Sequence, residues 1–441
     1  MERRQFLNTA GQGLAVLTAA QYSRVLGANE RVQVAVIGVG GRGKSHIRAH
    51  AANPGADVVA VVDIDQGINE RAAAQTAKEQ DGRKPKELND MRKAFDDKSI
   101  DAVSVATPNY WHALTSIWAC QAGKDVYVEK PCSHSIWEGR KMVEAARKYE
   151  RIVQVGHQSR STPHKLKAIE ALREGVIGDV YMAKGLCFKR RKEIGKAEVS
   201  AVPPGVDYDM WLGPAKPRAF KENRFHYKWH WYWDFGNGDL GNQGVHQMDV
   251  ARWGLGESML PDNAFSTGGK FISDDDQETP NTQHCLFDYN GKLLQFDVRG
   301  LITGGECGLL ENTGSTANTI GTLFFGSKGY MTIGNGGGFW TYLGEEREPG
   351  PMMKSPAGGD STYDHVDNFL KAVRSRKVSD LTCDIEEGHK SAALCHLANV
   401  SYRVGRKVMF DPARERFIGD AGANDLLKRD YRAPYVIPDV V

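Results

Sequence analysis

The stretch Val34-Ala-Val-Ile-Gly-Val-Gly-Gly-Arg-Gly43 decides the fold. Its apolar start reads as a buried strand and runs directly into Gly38, Gly40 and Gly43 at GxGxxG spacing. In a turn of this kind the first glycine permits the tight bend, the second lets backbone approach a pyrophosphate, and the third lets the next helix pack closely with its N-terminal amides facing the phosphates. Gly41 and Arg42 lie inside the same turn and are assigned to the nucleotide with it. A second strand, Val58-Val-Ala-Val-Val-Asp63, ends in a carboxylate 20 residues after Gly43, where the fingerprint places the group that holds the adenosine ribose hydroxyls. A glycine triplet alone also arises in ordinary turns. The flanking strand and the distant carboxylate make this one a dinucleotide-binding turn.

The chain of 441 residues, 41% hydrophobic, is long enough for two domains with separate cores. Lysine plus arginine (57) nearly balances aspartate plus glutamate (55), so no large basic field exists to hold nucleic acid or an anionic membrane. Small or neutral substrates are expected. The seven cysteines, at 120, 132, 187, 285, 307, 383 and 395, form no CxxC pair, which argues against a zinc knuckle or a disulfide framework. Their odd number leaves at least one free thiol.

At the N-terminus, Arg3-Arg4-Gln5-Phe6-Leu7 precedes the mildly apolar run from Gly13 to Ala20 and the small residues Gly27-Ala28. Residues 1–28 therefore resemble a twin-arginine signal, which exports an already folded protein to the periplasm. The run is too short to span a bilayer permanently. The alternative is a basic N-terminal helix on a cytoplasmic protein. Export in the folded state would require the nucleotide to be acquired first and kept tightly bound.

Residues 29–157 alternate strands and helices in a doubly wound pattern. Predicted elements are a helix over about 67–82, a strand Ala102–Ala106 ending at Thr107-Pro108-Asn109, a helix from His112 to Ala122, a strand Asp125–Glu129 followed by Lys130-Pro131, and a strand over 152–155. Ser135-Ile-Trp-Glu138 reads as a capping box opening a helix that buries Ile136, Met142, Val143 and Ala146. From residue 158 to 441 the pattern becomes α+β. One helix (Lys165–Glu174) leads to strands Val180–Phe188, Thr282–Tyr289 and Lys292–Val298 across Asn290-Gly291, and a later hairpin across Ser327-Lys328-Gly329. The fold expected is an N-terminal parallel Rossmann sheet followed by an α+β domain with a large, mostly antiparallel sheet. A long irregular segment, about 189–280, holds most of the tryptophans, and two late helices (363–375 and 386–404) precede a tail suited to packing across a neighbouring subunit.

Two places carry candidate chemistry. Lys130 stands at the tip of the fourth predicted strand, where a parallel sheet presents side chains to its ligand crevice. A lysine there can donate to a substrate oxygen and, if desolvated, take part in proton transfer; otherwise it is a solvated strand-end residue. The second place runs from Trp229 to Asp249, where five large rings lie near His230, Asp234, Asp239, Asn242 and His246. Rings beside hydroxyl-binding groups suit a carbohydrate, which assigns His230, Trp231, Trp233 and Asp234 to the substrate. Asn242 and His246 are four apart and share one face if the stretch is helical. His246 is then the natural proton acceptor; the alternative is a core histidine among core tryptophans. The spacing of His230, Asp234 and His246 matches no common metal pattern, and no metal is assigned.

Together these pieces resemble the Gfo/Idh/MocA oxidoreductase family over nearly the whole chain. The glycine turn, Ala106-Thr-Pro-Asn109 with His112, Glu129-Lys-Pro131, Gly156-His-Gln-Ser-Arg160 with Pro163, and the His246 segment carry the resemblance, Glu-Lys-Pro being the most specific. It implies that Lys130 lies by the nicotinamide and the substrate hydroxyl, and that His246 is the acid/base. It also implies that Thr107, Pro108, Asn109, His112, Glu129 and Gln158 face the cofactor, and it places His157 and Arg160 on the substrate side. Many members carry an aspartate four residues before the histidine. Asn242 stands there instead, able to orient a hydroxyl but not to share a proton. Asp63 favours NAD over NADP because a carboxylate repels a 2′-phosphate, while Arg42 weakens the preference by standing within reach of one. The reading expected is a periplasmic, NAD-dependent dehydrogenase of a sugar or glycoside, oxidising C3, and a homo-oligomer (dimer or tetramer). Its rivals are a redox-neutral NAD-dependent glycosidase and a non-catalytic sugar-binding scaffold that retains NAD.

Overall fold

Short runs of β-branched and small apolar residues, buried on both faces, build a parallel sheet that helices must cover. In the computed structural model, which describes residues 31–304, 318–355 and 361–441, this sheet has six strands. They are β1 (Val32–Ile37), β2 (Ala56–Val62), β3 (Lys86–Leu88), β4 (Ala102–Val105), β5 (Asp125–Val128) and β6 (Val153–Val155). Their order, β3-β2-β1-β4-β5-β6, with every pair parallel, is that of a Rossmann domain. The order of winding, not the strand direction, reverses between β1 and β4, and the crevice outside their carboxyl ends is where such sheets bind ligands. The segment 1–28 and Cys307 lie outside the described residues.

Two elements here have no apolar period to announce them. β3 consists of Lys86-Glu-Leu88 paired to β2 at the sheet edge, and a short helix, Met91–Asp96, follows it. Lys130 thus follows the fifth strand rather than the fourth. The helix Ile136–Lys148 begins as its capping box requires, with the Ser135 hydroxyl accepting from the Glu138 amide at 3.3 Å. The Glu138 carboxylate accepts from the amide of His134 at 2.8 Å.

The second sheet has ten strands: β7 (Val180–Lys189), β8 (Asn263–Gly269), β9 (Thr282–Asp288), β10 (Leu293–Arg299), β11 (Asn318–Gly326), β12 (Gly329–Gly334), β13 (Gly338–Leu343), β14 (Glu348–Lys354), β15 (Val408–Asp411) and β16 (Arg416–Phe417). All pairs are antiparallel except the central β7 and β10. Helices Pro163–Arg173, Val245–Leu255 and Ile385–Val404 bury one face. The irregular segment expected over 189–280 in fact contains β8 and the helix Val245–Leu255.

Two late segments return to the first sheet. The helix Thr362–Ser375 buries Val366, Phe369, Leu370 and Val373 against Val34, Val36 and Val58. The C-terminal tail, expected to reach a neighbouring subunit, folds onto its own chain: Tyr435 packs edge-on to Trp111 at 5.3 Å, and Lys148 Nζ donates to the Val441 carbonyl at 2.6 Å.

The glycine turn has little room for side chains. Gly38 has φ +81°, and a Cβ on Gly43 would stand 2.1 Å from the Gly38 carbonyl oxygen. Gly43→Ala should therefore push the first helix off the turn and cost about 1–3 kcal/mol; urea unfolding at wild-type stability would show that the turn relaxes instead.

Candidate active site

Outside the carboxyl ends of β1, β2, β4 and β5 lies a cleft of about 1040 Å³, extending to the second sheet. Gly38, Gly40, Gly41 and Arg42 line its floor. Gly43 does not; it lies beneath the turn, packed on Gly38. Asp63 lines the cleft at the end of β2, where its carboxylate accepts from the amides of Val39 (2.9 Å) and Asp65 (3.1 Å). Burial raises its pKa to about 6, against the effect of those amides. Thr107, Pro108 and His112 line the opposite side. Asn109 does not reach the cleft: its amide donates to Asn237 Oδ1 at 2.6 Å. His112 lies between the Pro131 and Thr107 carbonyls, at 2.7 and 2.8 Å, and ties the two loops together.

A dinucleotide fits these walls. The site exposes backbone at Gly41, where a Cβ would meet nothing within 4 Å, and the buried Thr107 hydroxyl has no hydrogen-bond partner among the described residues. Backbone and a hydroxyl presented this way suit phosphate oxygens and an amide.

Glu129, 4% exposed, joins several elements. Its Oε1 accepts from Arg42 Nε (2.9 Å), His46 Nε2 (3.0 Å) and Gln158 Nε2 (3.0 Å), and its Oε2 from the Lys130 amide (3.2 Å). Burial works to raise its pKa, but Arg42, His46 and Lys130 outweigh it and hold the carboxyl well below its usual range. Arg42 also donates to the Thr362 hydroxyl at 2.6 Å, so its guanidinium is engaged at this knot. His46 carried no motif signal, and only the packed structure brings it here.

Lys130 continues from that knot, and its Nζ donates to the Asn242 carbonyl at 2.6 Å. Burial lowers its pKa. Asn242 sits in a π-helical turn, Leu240–Gly244, which runs into the helix Val245–Leu255 carrying His246. Such widened turns recur at functional sites. Both side chains line the cleft, as four-residue spacing suggested, and Asn242 Nδ2 donates to the Tyr227 hydroxyl at 2.9 Å. The His246 ring makes no hydrogen bond among the described residues. Burial, then the charge of Lys130, hold its pKa well below the ordinary value, so it is neutral and able to accept a proton.

The aromatic segment divides. His226–Trp231 is a 3₁₀ helix, so Tyr227 and His230, one turn apart, share a face and line the cleft together with Trp229. His230 stacks on Trp229 at 3.6 Å, and burial lowers its pKa to about 3. Trp231, Trp233 and Asp234 do not line the cleft. Trp231 packs under the Arg191 guanidinium (5.4 Å), Trp233 lies under Arg403 (5.4 Å), and Asp234 pairs with Arg218 (2.5 Å). The expectation that these three contact substrate is corrected accordingly.

His157 and Arg160 are also behind the wall rather than on it. Arg160 Nε and Nη2 donate to Asp249 at 3.0 and 2.8 Å. His157 is fully buried, 3.6 Å from the same carboxylate, with its ring edge-on to His246 at 6.0 Å. Lys165, which no motif marked, does line the cleft, and its Nζ donates to the Ser159 hydroxyl at 2.9 Å. The sequence held a signal for it: Lys165, Ala168, Ile169 and Leu172 recur at the spacing of a buried helix face.

Above the cleft, residues 203–211 cross from the second half of the chain. Val206 bridges Asp65, the Gln66 amide donates to the Gly205 carbonyl at 3.0 Å, and the Asp207 amide donates to the Ile64 carbonyl at 2.9 Å. Met210 and Trp211 complete the roof.

The buried Arg160–Asp249 pair generates a stability prediction. Asp249→Asn removes the close carboxylate from a buried guanidinium, leaving it Glu387 at 3.5 Å, and should cost up to about 3–5 kcal/mol. Burial acts to raise the Asp249 pKa, but Arg160 and His157 hold it below the ordinary value. A depressed folded pKa gives stability that is complete above about pH 5 and is lost as pH falls below the unfolded carboxylate value of about 3.9. Denaturant melts from pH 6 to 2 should show a steeper loss for wild type than for Asp249→Asn; parallel curves would remove this pair from the acid sensitivity.

Comparison with known proteins agrees with the geometry. Residues 32–157 match the oxidoreductase family's NAD-binding Rossmann fold, and residues 179–263 and 355–437 match its C-terminal alpha/beta domain. Levoglucosan dehydrogenase of Pseudarthrobacter phenanthrenivorans is 26% identical over 253 residues, 54% of this chain and 57% of that protein. Inositol 2-dehydrogenase of Rubrobacter xylanophilus is 33% identical over 165 residues (36% and 44%), and a glycosyl hydrolase family 109 protein of a Shewanella strain is 27% identical over 203 (41% and 44%). The chain thus spans about half the length of the relatives it matches. Among solved structures, a levoglucosan dehydrogenase in complex with NADH and levoglucosan superposes with TM-score 0.65 at 19% identity, over 86% of this chain and 99% of that one. The WlbA dehydrogenase from Bordetella pertussis, in complex with NADH and UDP-GlcNAcA, gives 0.63 at 21% identity, over 87% and 99%. These likenesses show the fold, and the two family matches with the Glu-Lys-Pro cleft place the chain in the Gfo/Idh/MocA oxidoreductase family.

Proposed function

We propose that the protein is an NAD-dependent dehydrogenase of a sugar or glycoside hydroxyl. One observation carries this reading: a half-buried lysine and a neutral histidine open onto the same cleft as the glycine turn, the lysine bonded to the Asn242 carbonyl in the turn that leads into the histidine's helix. When bound, the nicotinamide supplies a hydride acceptor. The Lys130 ammonium donates to the substrate oxygen and stabilises negative charge as it develops there. His246 takes the hydroxyl proton, a role its low pKa permits at neutral pH. Asn242 turns its amide toward Tyr227 and orients rather than transfers protons. Trp229 and His230 offer a stacked surface for a sugar ring. C3 of a pyranose is the proposed site of oxidation.

The strap over 203–211 supports a tightly held cofactor, since release requires breaking its backbone pairing to Ile64–Gln66. Retention in turn suits export through the twin-arginine route, proposed here for the segment 1–28. Phe265 and Leu286, cross-strand partners on β8 and β9, stand exposed on the second sheet, a surface we assign to a homo-oligomer contact. The glycosyl hydrolase family 109 relatives favour a second reading. In that version the C2 proton of a 3-keto sugar, acidified by the ketone, would be lost as the aglycone leaves C1, water would add across the C1–C2 double bond with a solvent proton returning to C2, and the hydride held by the nicotinamide would restore the C3 hydroxyl.

Protein purified without added nucleotide should release NAD(H) on denaturation. Lys130→Ala and His246→Ala should keep that nucleotide yet lose turnover about a hundredfold or more. Asn242→Ala should be milder, because the lysine contact uses the backbone. Wild-type turnover in His246→Ala would make that histidine a packing residue.

Net oxidation and redox-neutral cleavage separate in heavy water. When an aryl glycoside is incubated there with an external acceptor that reoxidises the bound nicotinamide, a dehydrogenase should accumulate keto sugar, whereas release of aglycone with deuterium at C2 and no keto product, with or without the acceptor, would replace the first reading by the second.

A further inference from the structure

The overall charge of +2 concealed a strong local imbalance. Among the described residues, the cleft walls carry Lys130, Lys165 and Lys189, whereas the only carboxylates are Asp63 and Glu129. Neither carboxylate is available to those lysines' ammonium groups. Asp63 is occupied by the amides of Val39 and Asp65 at the ribose end, and Glu129 is saturated by Arg42, His46 and Gln158. Asp249 lies near Lys165 but is clamped by Arg160 and does not line the cleft.

Lys165 is the informative group. It is 5% exposed, and its hydrogen-bond partner is the neutral hydroxyl of Ser159 at 2.9 Å. Burying an ammonium against a hydroxyl is unfavourable unless an anion completes the site. Consistent with that cost, burial lowers its pKa to about 8, which leaves it mostly charged at neutral pH. Lys189, at the end of β7, likewise makes no ion pair among the described residues. Lys130 is already committed to the Asn242 carbonyl. The two remaining cations lie in a recess with apolar and aromatic walls, where a field of one sign concentrates opposite charge.

From this arrangement we infer that the substrate is an anionic sugar, carrying a carboxylate or sulfate group that Lys165 binds with help from Lys189. The inference rests on the sugar-dehydrogenase reading and names the substrate class for the same cleft. It replaces the expectation of a neutral substrate drawn from composition.

The test uses the holoenzyme and a matched panel of methyl glycosides in the gluco, galacto and manno configurations. Each is offered with C6 as hydroxymethyl, as carboxylate and as sulfate ester, with nicotinamide absorbance as the readout. The best kcat/KM should belong to an anionic member, at least tenfold above its neutral counterpart, and its KM should rise with ionic strength. The carboxylate and sulfate arms identify which anion is used. Lys165→Met should erase the preference and Lys165→Arg restore part of it, in protein whose bound-nucleotide spectrum matches wild type. A neutral glycoside as best substrate, or an undiminished preference in Lys165→Met, would overturn the inference and leave the dehydrogenase reading standing. Absorbance unmoved by any sugar would instead remove the reading on which it rests.

Discussion

The site depends on one buried anion. A carboxylate taken out of water is costly unless donors surround it, and Glu129 has them from four places: the helix after the glycine turn, the turn itself, the 3₁₀ segment after β6 and its own chain neighbour. Arg42 extends the knot to Thr362 at the head of the late helix that covers the first sheet. Because the same carboxylate holds the Lys130 amide, the lysine enters the cleft in a set direction, and its ammonium reaches the Asn242 carbonyl of the second half. Nucleotide turn, lysine and histidine-bearing helix are therefore registered through a single group.

Electrostatics around His246 follow from how a second buried anion is hidden. Asp249 lies three residues further along the same helix, close enough in principle to raise the histidine's pKa. Arg160 neutralises it with a two-pronged contact, and His157 fills the space between carboxylate and His246. The histidine instead feels its burial and the positive charge of Lys130. Arg160, assigned to substrate from its motif, thus acts one layer back, by keeping a negative charge away from His246.

The legible parts of the sequence were those governed by local periodicity. Doubly buried strands appear as short apolar runs, the glycine turn as a spacing, and the helix Ile136–Lys148 as a cap and a stripe. Asn242 and His246 share the cleft because a turn and helix are local structures. β3 was invisible because a three-residue edge strand of Lys-Glu-Leu gains its structure from pairing with β2, not from its own pattern. Lys165 belongs to no motif, and its only mark in the sequence is its place on the buried face of a helix.

The sequence by itself determined the plan of a parallel sheet followed by a mostly antiparallel one, the dinucleotide turn, and the places of Lys130 at a strand end and of Asn242 and His246 on one face, because each is written in residues close together along the chain. Tertiary structure alone decided which groups meet. It turned Trp231, Trp233, Asp234, His157 and Arg160 away from the cleft, brought His46 and Thr362 into the Glu129 knot, and folded the tail onto Trp111. A side chain's partner is set by packing between distant segments and by the need to pair every buried charge, and neither constraint leaves a period in the chain.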